Sequence, residues 1–176
     1  MLKKLIKILV IIIFACVCFI KINNQKETKL IHKYISNPTK YNYLNFEVLE
    51  IPKINLLEKI EINKDNFANL DNSLIYYEKL NYNNRIIIFG HSGMGYNKYF
   101  NRLDELKIND IAYLYYNDLK LEYILKEIYT VSEYETGIMS NTVDKKELIL
   151  ITCVKNQKSQ RLVLKFDIKN IKNIDK

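Results

Sequence analysis

The sequence contains few of the residue types that form disulfides and tight turns. Among its 176 residues there are no Trp, two Pro, two His, three Cys and four Gly. Cys16 and Cys18 lie in an apolar N-terminal run, which leaves Cys153 alone in the rest of the chain. An intrachain disulfide within the folded part is therefore excluded. Cys153 is either a buried, inert thiol or a reactive one.

Arginine is also rare, although the chain is basic. The formal net charge is +7, yet the basic residues are almost all Lys, and they are scattered without a nucleic-acid-binding motif. We therefore expect no nucleic-acid partner, and at most weak attraction to an anionic surface. Where Lys is the usual cation, an Arg suggests a site that needs its planar fork. Arg161 opens an apolar run and fits that role, whereas Arg85 and Arg102 are interpreted as surface ion-pair residues.

The N-terminus has the layout of a signal peptide or signal anchor. Lys3, Lys4 and Lys7 precede an apolar run, and residues 5–22 are just long enough to span a bilayer, which needs roughly 17–25 residues. No small-residue cleavage site follows, which favours an uncleaved anchor. We expect these lysines to stay inside and the rest of the chain to lie outside the cell.

The remaining chain divides by composition. The predicted segments are a transmembrane anchor at 1–22, a polar extracellular stalk at 23–45, a folded domain at 46–168 and a polar C-terminal tail at 169–176. Histidine 32 falls in the stalk, and no catalytic role is expected for it. Within the domain, apolar runs predict eight strands, at 46–51, 59–62, 73–78, 85–90, 110–116, 120–130, 147–153 and 161–168.

Helical patterns in the domain are short. Helical spacing of apolar residues occurs at 97–106, which is too short to cover a parallel sheet. The sequence therefore predicts an all-β fold, an antiparallel barrel or sandwich with short helices.

Three of the four glycines fall in one loop, Gly90–Gly95. The concentration of Gly suggests backbone freedom, and a structural turn or a site loop both explain it. A phosphate-binding loop is excluded, because no Lys-Ser or Lys-Thr pair and no long helix follow. His91 lies in this loop, at the end of an apolar run. With Cys153 and Arg161 it supplies an imidazole, a thiol and a guanidinium at strand ends, the groups that acyl transfer through a cysteine requires.

The same residues resemble the sortases, which are membrane-anchored cysteine transpeptidases of Gram-positive bacteria. The order His, then Thr-Cys at a strand end, then Arg at the next strand start is typical of that family. The motifs that carry the resemblance are Glu50-Ile51-Pro52-Lys53-Ile54, Ile88-Phe89-Gly90-His91-Ser92, Phe100-Asn101-Arg102-Leu103-Asp104-Glu105-Leu106-Lys107, Ile149-Leu150-Ile151-Thr152-Cys153 and Arg161-Leu162-Val163-Leu164. Together they cover about residues 46–168.

The resemblance implies an eight-stranded sortase-like β-barrel and a function. Cys153 would attack a Leu-Pro-x-Thr-Gly-like sorting signal of an exported protein and form a thioester. His91 would act as acid and base, and Arg161 would bind the oxyanion or substrate carbonyls. An amine of peptidoglycan or its precursor would accept the acyl group. The loop at 131–146 would help to line the sorting-signal pocket.

Two departures from the family pattern concern the class of sortase. Ile149 stands where members usually have Thr, and the connection between Cys153 and Arg161 is short. No cofactor or metal is expected, since a solvated loop explains the acidic residues Glu133, Glu135 and Asp144 better than a calcium site.

Two other functions remain open from the sequence. A cysteine hydrolase would use the same nucleophile with water as the acceptor. A non-catalytic, membrane-tethered β-domain would bind wall polymer or protein, and its Cys153 would be inert.

Overall fold

The computed structural model describes residues 2–37, 46–61, 73–79, 85–93, 98–116, 118–135 and 145–174. Parts of several predicted features lie outside these residues: residue 1 of the anchor, 38–45 of the stalk, 62 of the second strand, 94 and 95 of the glycine loop, 97 of the helical segment, 136–144 of the long loop, and 175 and 176 of the tail. In the described residues, one long helix precedes eight strands. The helix α1 is Leu2–Ser36, and the strands are β1 (Phe46–Ile51), β2 (Leu56–Glu61), β3 (Leu74–Lys79), β4 (Ile86–Phe89), β5 (Ile111–Tyr116), β6 (Leu119–Ser132), β7 (Glu147–Val154) and β8 (Gln157–Asn173).

The strands form a closed barrel in the order β1-β2-β3-β4-β7-β8-β6-β5. The predicted eight-stranded barrel is therefore confirmed. The expectation that it is antiparallel throughout was wrong at two places, because β2 pairs with β3 and β4 pairs with β7 in parallel. Short helices do not exclude parallel strands here, because the chain crosses from β4 to β7 through β5 and β6, which lie elsewhere in the barrel, and not through a helix. β8 also runs on to Asn173 and takes in most of the predicted polar tail.

The parallel pair β4–β7 is buried on both faces, which explains why both strands are continuous apolar runs. Ile88 and Leu150 point into the barrel and belong to its main core, whereas Ile87 and Ile149 belong to a separate cluster on the outer face. One end of the barrel is closed by the predicted helical segment, which forms turns and the 3₁₀ helix Leu103–Glu105. Its Phe100, Leu103 and Leu106 are buried in the main core.

Helix α1 is long and apolar enough to cross a membrane, judged by length and composition. The stretch predicted as a stalk continues this helix to Ser36. There Ile31 and Tyr34 are buried against Val48 and Tyr115 on the outside of the barrel. Lys59 of β2 forms an ion pair with Glu27 of the helix, with 3.0 Å between Nζ and Oε1. The helix is thus packed on the barrel instead of leading to it as a free tether.

Next to this contact, Glu58 is partly buried on β2. Burial, and to a smaller extent the carboxylate of Glu27, raises the pKa of Glu58 to about 7. The positive charge of Lys59 acts in the opposite direction and lowers this pKa. In the unfolded chain the pKa returns to the ordinary value of 4.5. Since the folded state binds the proton more tightly, its stability is highest below the unfolded pKa and falls as the pH rises towards 7.

We expect Glu58→Gln to remove this pH dependence. Between pH 5 and pH 8 the wild type should lose unfolding free energy that the variant keeps. The difference between the two proteins should therefore grow by about 2 kcal/mol over this range, less than the full pKa shift implies because Glu58 is partly exposed. Denaturant unfolding of the full chain in detergent at both pH values measures the gain. Glu127→Gln, at a largely exposed carboxylate, is the matched control. Equal pH profiles for wild type and Glu58→Gln would contradict the assignment.

Candidate active site

The site is built on the parallel pairing of β4 with β7. Their register aligns Ile88 with Leu150 and Phe89 with Ile151. One hydrogen bond continues the pairing past the end of β4, from the backbone N of Gly90 to the carbonyl of Ile151, at 3.3 Å. The chain leaving β4 therefore stays beside β7 as it enters the glycine loop.

Gly90 is required by its surroundings. A Cβ atom at this position would lie 2.6 Å from both Leu74 Cδ2 and Phe100 Cδ2, far inside van der Waals contact. The carbonyl of Gly90 accepts a hydrogen bond from the buried hydroxyl of Thr152 at 2.8 Å. The Thr that precedes the cysteine therefore binds the loop that carries the histidine.

A second hydroxyl completes the connection. Ser92 Oγ donates to the carbonyl of Cys153 at 2.6 Å, and the backbone N of Phe100 donates to the carbonyl of His91 at 3.0 Å. Continuing the β4–β7 register by two positions brings His91 next to Cys153. Both side chains are half-buried, so the imidazole and the thiol are partly shielded and still accessible to a substrate.

Arg161 lies opposite Cys153 on the neighbouring strand. The antiparallel pairing of β7 with β8 aligns Cys153 with Arg161 and Ile151 with Val163. Directly opposed residues have their Cβ atoms about 4.5–5.5 Å apart on the same face. By the alternation of side chains this is the outer face, which Ile151 and Val163 also occupy. The structure thus brings all three predicted site residues to one end of the barrel.

The guanidinium of Arg161 is held by a residue that the sequence did not single out as its partner. Arg161 Nη2 lies 2.9 Å from Glu133 Oε2, and both side chains are little more than a quarter exposed. The backbone N of Glu133 donates to the carbonyl of Ser159 at 2.8 Å, which fixes the end of β6 beside β8. Glu133 had been interpreted as part of a solvated loop. This ion pair can be predicted only from the register of β6 and β8, in which Val131 lies opposite Arg161.

An apolar cluster and a pocket lie next to Cys153. The outer apolar cluster consists of four buried residues from β4, β7 and β8 with three partly buried neighbours, namely Ile87, Ile149, Ile151, Val163, Phe89, Tyr129 and Val131. The rim pocket has a volume of about 220 Å³ and is lined by residues that include Ser92, Asp104, Thr152, Cys153, Lys155 and Leu162. Cys153 can therefore be approached through the rim pocket.

The other predicted residues lie apart from this site. His32 is exposed on α1. Arg102 forms an exposed ion pair with Glu105, as expected. The surface interpretation of Arg85 was wrong, because this side chain is only 5% exposed at the start of β4. Within the described ranges, no group of three or more His, Cys, Asp or Glu side chains has the geometry of a metal site.

Comparison with known proteins identifies the fold and its family. The family model of the sortase domain matches residues 49–168. Sortase C-3 from Streptococcus pneumoniae superposes with a TM-score of 0.65 at 22% identity, over 74% of this chain and 65% of that protein, just under two thirds of its length. A lid mutant of sortase A from Corynebacterium diphtheriae superposes at 0.64 with 25% identity, over 72% and 70%.

A third solved structure, the Clostridium perfringens sortase D5 transpeptidase, superposes with a TM-score of 0.63 at 22% identity, over 72% of this chain and 79% of that one. At 22% identity the two less similar structures demonstrate a shared fold alone. A search of curated proteins gave no match.

Proposed function

The chain belongs to the sortase family, and on that premise we propose that it is a membrane-anchored cysteine transpeptidase. Its donor substrate is an exported protein with a Leu-Pro-x-Thr-Gly-like sorting signal. Its acceptor is an amine of peptidoglycan or of a peptidoglycan precursor. Cys153, His91 and Arg161 are the proposed catalytic residues.

One observation carries the proposal. The backbone of Cys153 is bound by the loop of His91 on one side, through Ser92, and is paired with Arg161 on the other. The backbone of the sheet thus holds Cys153 between the positions of His91 and Arg161. An inert structural cysteine would require neither neighbour, and the partial exposure of the Cys153 side chain favours a working thiol.

In the acylation step the Cys153 thiolate attacks the Thr carbonyl carbon of the sorting signal. A carbon–sulfur bond forms, the scissile carbon–nitrogen bond breaks, and His91 donates a proton to the leaving amine. In the second step the acceptor amine attacks the thioester, His91 takes a proton, and the thiolate is released. Negative charge develops on the carbonyl oxygen in both steps.

Arg161 stabilises that negative charge by donating from its guanidinium. Glu133 accepts a hydrogen bond from Nη2 of the guanidinium, and the carbonyl of Gln160 accepts one from Nη1. A planar side chain held by a carboxylate is positioned before substrate arrives, which lowers the reorganisation that the reaction requires.

The proposed location follows from α1. Its apolar part anchors the protein in the cell membrane as a single uncleaved span, with Lys3, Lys4 and Lys7 inside and the barrel outside. The packing of Ile31 and Tyr34 on the barrel then holds the domain close to the bilayer. This position suits an enzyme whose substrates are exported proteins and wall precursors.

A thioester adduct tests the proposal. We expect sorting-signal peptides, incubated with the full chain in detergent, to add their acyl portion to Cys153 alone, as seen by mass spectrometry of proteolytic fragments. Cys16→Ser and Cys18→Ser remove the other thiols, and Cys153→Ala is the control. An added amine should then appear in the product. Hydrolysis alone, even with abundant amine, would identify a cysteine hydrolase, and a folded protein without any adduct would indicate a non-catalytic domain.

Arg161→Lys tests the role of the planar fork. The substitution keeps the charge but loses a donor directed at the developing oxyanion, so we expect kcat to fall about 100-fold. Arg102→Lys changes an exposed Arg of another ion pair and should alter kcat less than twofold. Thermal unfolding controls for folding. Similar losses in the two variants would remove Arg161 from the mechanism.

A further inference from the structure

The rim pocket lies on the core side of the strands next to Cys153, opposite the outer apolar cluster. Thr152 and Leu162 are paired across β7 and β8 and line the pocket, and Leu162 packs against the barrel core. Ile151 and Val163, one position further, lie in the buried outer apolar cluster. Cys153 is therefore reached from the rim pocket. A two-substrate reaction on one thiol needs such an approach, because the second substrate must reach the thioester after the first has been attached.

The rim pocket already contains a bound primary ammonium group. Lys155 Nζ lies 3.0 Å from Oδ1 and 2.9 Å from Oδ2 of Asp104, and both residues line the pocket beside Cys153. The two side chains are each about half exposed, so the pair is weak and exchangeable. Asp104 is held in place because it lies on the 3₁₀ helix that covers the end of the barrel.

Asp104 differs from the carboxylate next to it. Glu105 is engaged on both oxygens by the fork of Arg102, at 2.8 Å and 2.7 Å. This hydrogen bonding lowers the pKa of Glu105 and commits its charge to an internal partner. Asp104 is paired instead with a flexible lysine, Lys155. A competing ammonium ion can replace a lysine far more easily than a bidentate Arg.

We propose that the rim pocket is the binding site of the acceptor, and that Asp104 binds the acceptor's ammonium group after displacing Lys155. The proposal rests on the proposed function, since it assigns the second substrate of that reaction. The ligand class is a primary alkyl ammonium ion, the same chemical group that Lys155 presents. Asp104 thereby concentrates the acceptor beside the thioester.

In the transfer step, the bound ammonium loses one proton to water, and its nitrogen attacks the thioester carbon. The nitrogen–carbon bond forms as the carbon–sulfur bond to Cys153 breaks. The second proton of the attacking nitrogen passes to His91, and the electron pair of the broken bond returns to sulfur as thiolate. Asp104 takes no proton and acts on binding alone.

The test compares a charged and an uncharged nucleophile. Glycinamide is largely an ammonium ion at pH 7, whereas hydroxylamine is largely neutral. For Asp104→Asn we expect the KM for glycinamide to rise about threefold to fivefold, the size of an exposed ion pair, with hydroxylamine unaffected. Lys155→Met should lower the KM for glycinamide because the internal competitor is gone. The rate of thioester formation should stay unchanged in both variants.

Glu122→Gln is the matched control, because it breaks another Lys–carboxylate pair, with Lys169 at 2.7 Å. Lys169 is far along β8 from Arg161, the residue opposite Cys153. The substitution should change no acceptor parameter. Equal effects of Asp104→Asn on the two nucleophiles, or no effect on glycinamide, would overturn the acceptor site while thioester formation still upheld the proposed function. Failure of the wild type to form a thioester would instead overturn both.

Discussion

The arrangement of the site depends on the parallel pairing of β4 with β7. These strands are distant in sequence, and nothing local aligns them. Their register is fixed because both are buried on two faces, so a one-residue slip would exchange the core and outer side chains of each strand. Three hydrogen bonds then extend the alignment beyond β4, through Gly90, Thr152 and Ser92. The neighbouring positions of His91 and Cys153 are a consequence of that register.

The sequence was sufficient to locate the strands and to identify the candidate site residues. Runs of apolar residues marked all eight strands, and the rarity of Cys and Arg drew attention to Cys153 and Arg161. It could not reveal the parallel pairs, because the direction of pairing between distant strands leaves no local pattern. The Glu133–Arg161 ion pair was missed for the same reason. It depends on the β6–β8 register, which contains irregularities at Glu122/Tyr123 and Leu125/Glu127 that composition does not encode.

The barrel places two chemical environments next to one thiol. On the outer face, β4, β7 and β8 contribute a buried apolar cluster. At the rim, the pocket that reaches Cys153 contains the half-exposed ion pair of Asp104 and Lys155. Helix α1 packs on the far strands β1 and β5 through Ile31 and Tyr34. In the proposed mechanism, anchoring and acceptor binding therefore use different parts of the barrel.

The most direct test of this account is whether positions 91 and 153 are neighbours. In the chain with Cys16→Ser and Cys18→Ser, His91→Cys provides a second thiol beside Cys153. Adjacent strands are about 4.8 Å apart, and a disulfide needs Cα atoms about 4.4–6.8 Å apart. We expect mild oxidation to yield an intrachain disulfide in this protein, detected by mass spectrometry, whereas His32→Cys should yield none. Two thiols that stay fully alkylatable in the folded His91→Cys protein would contradict it.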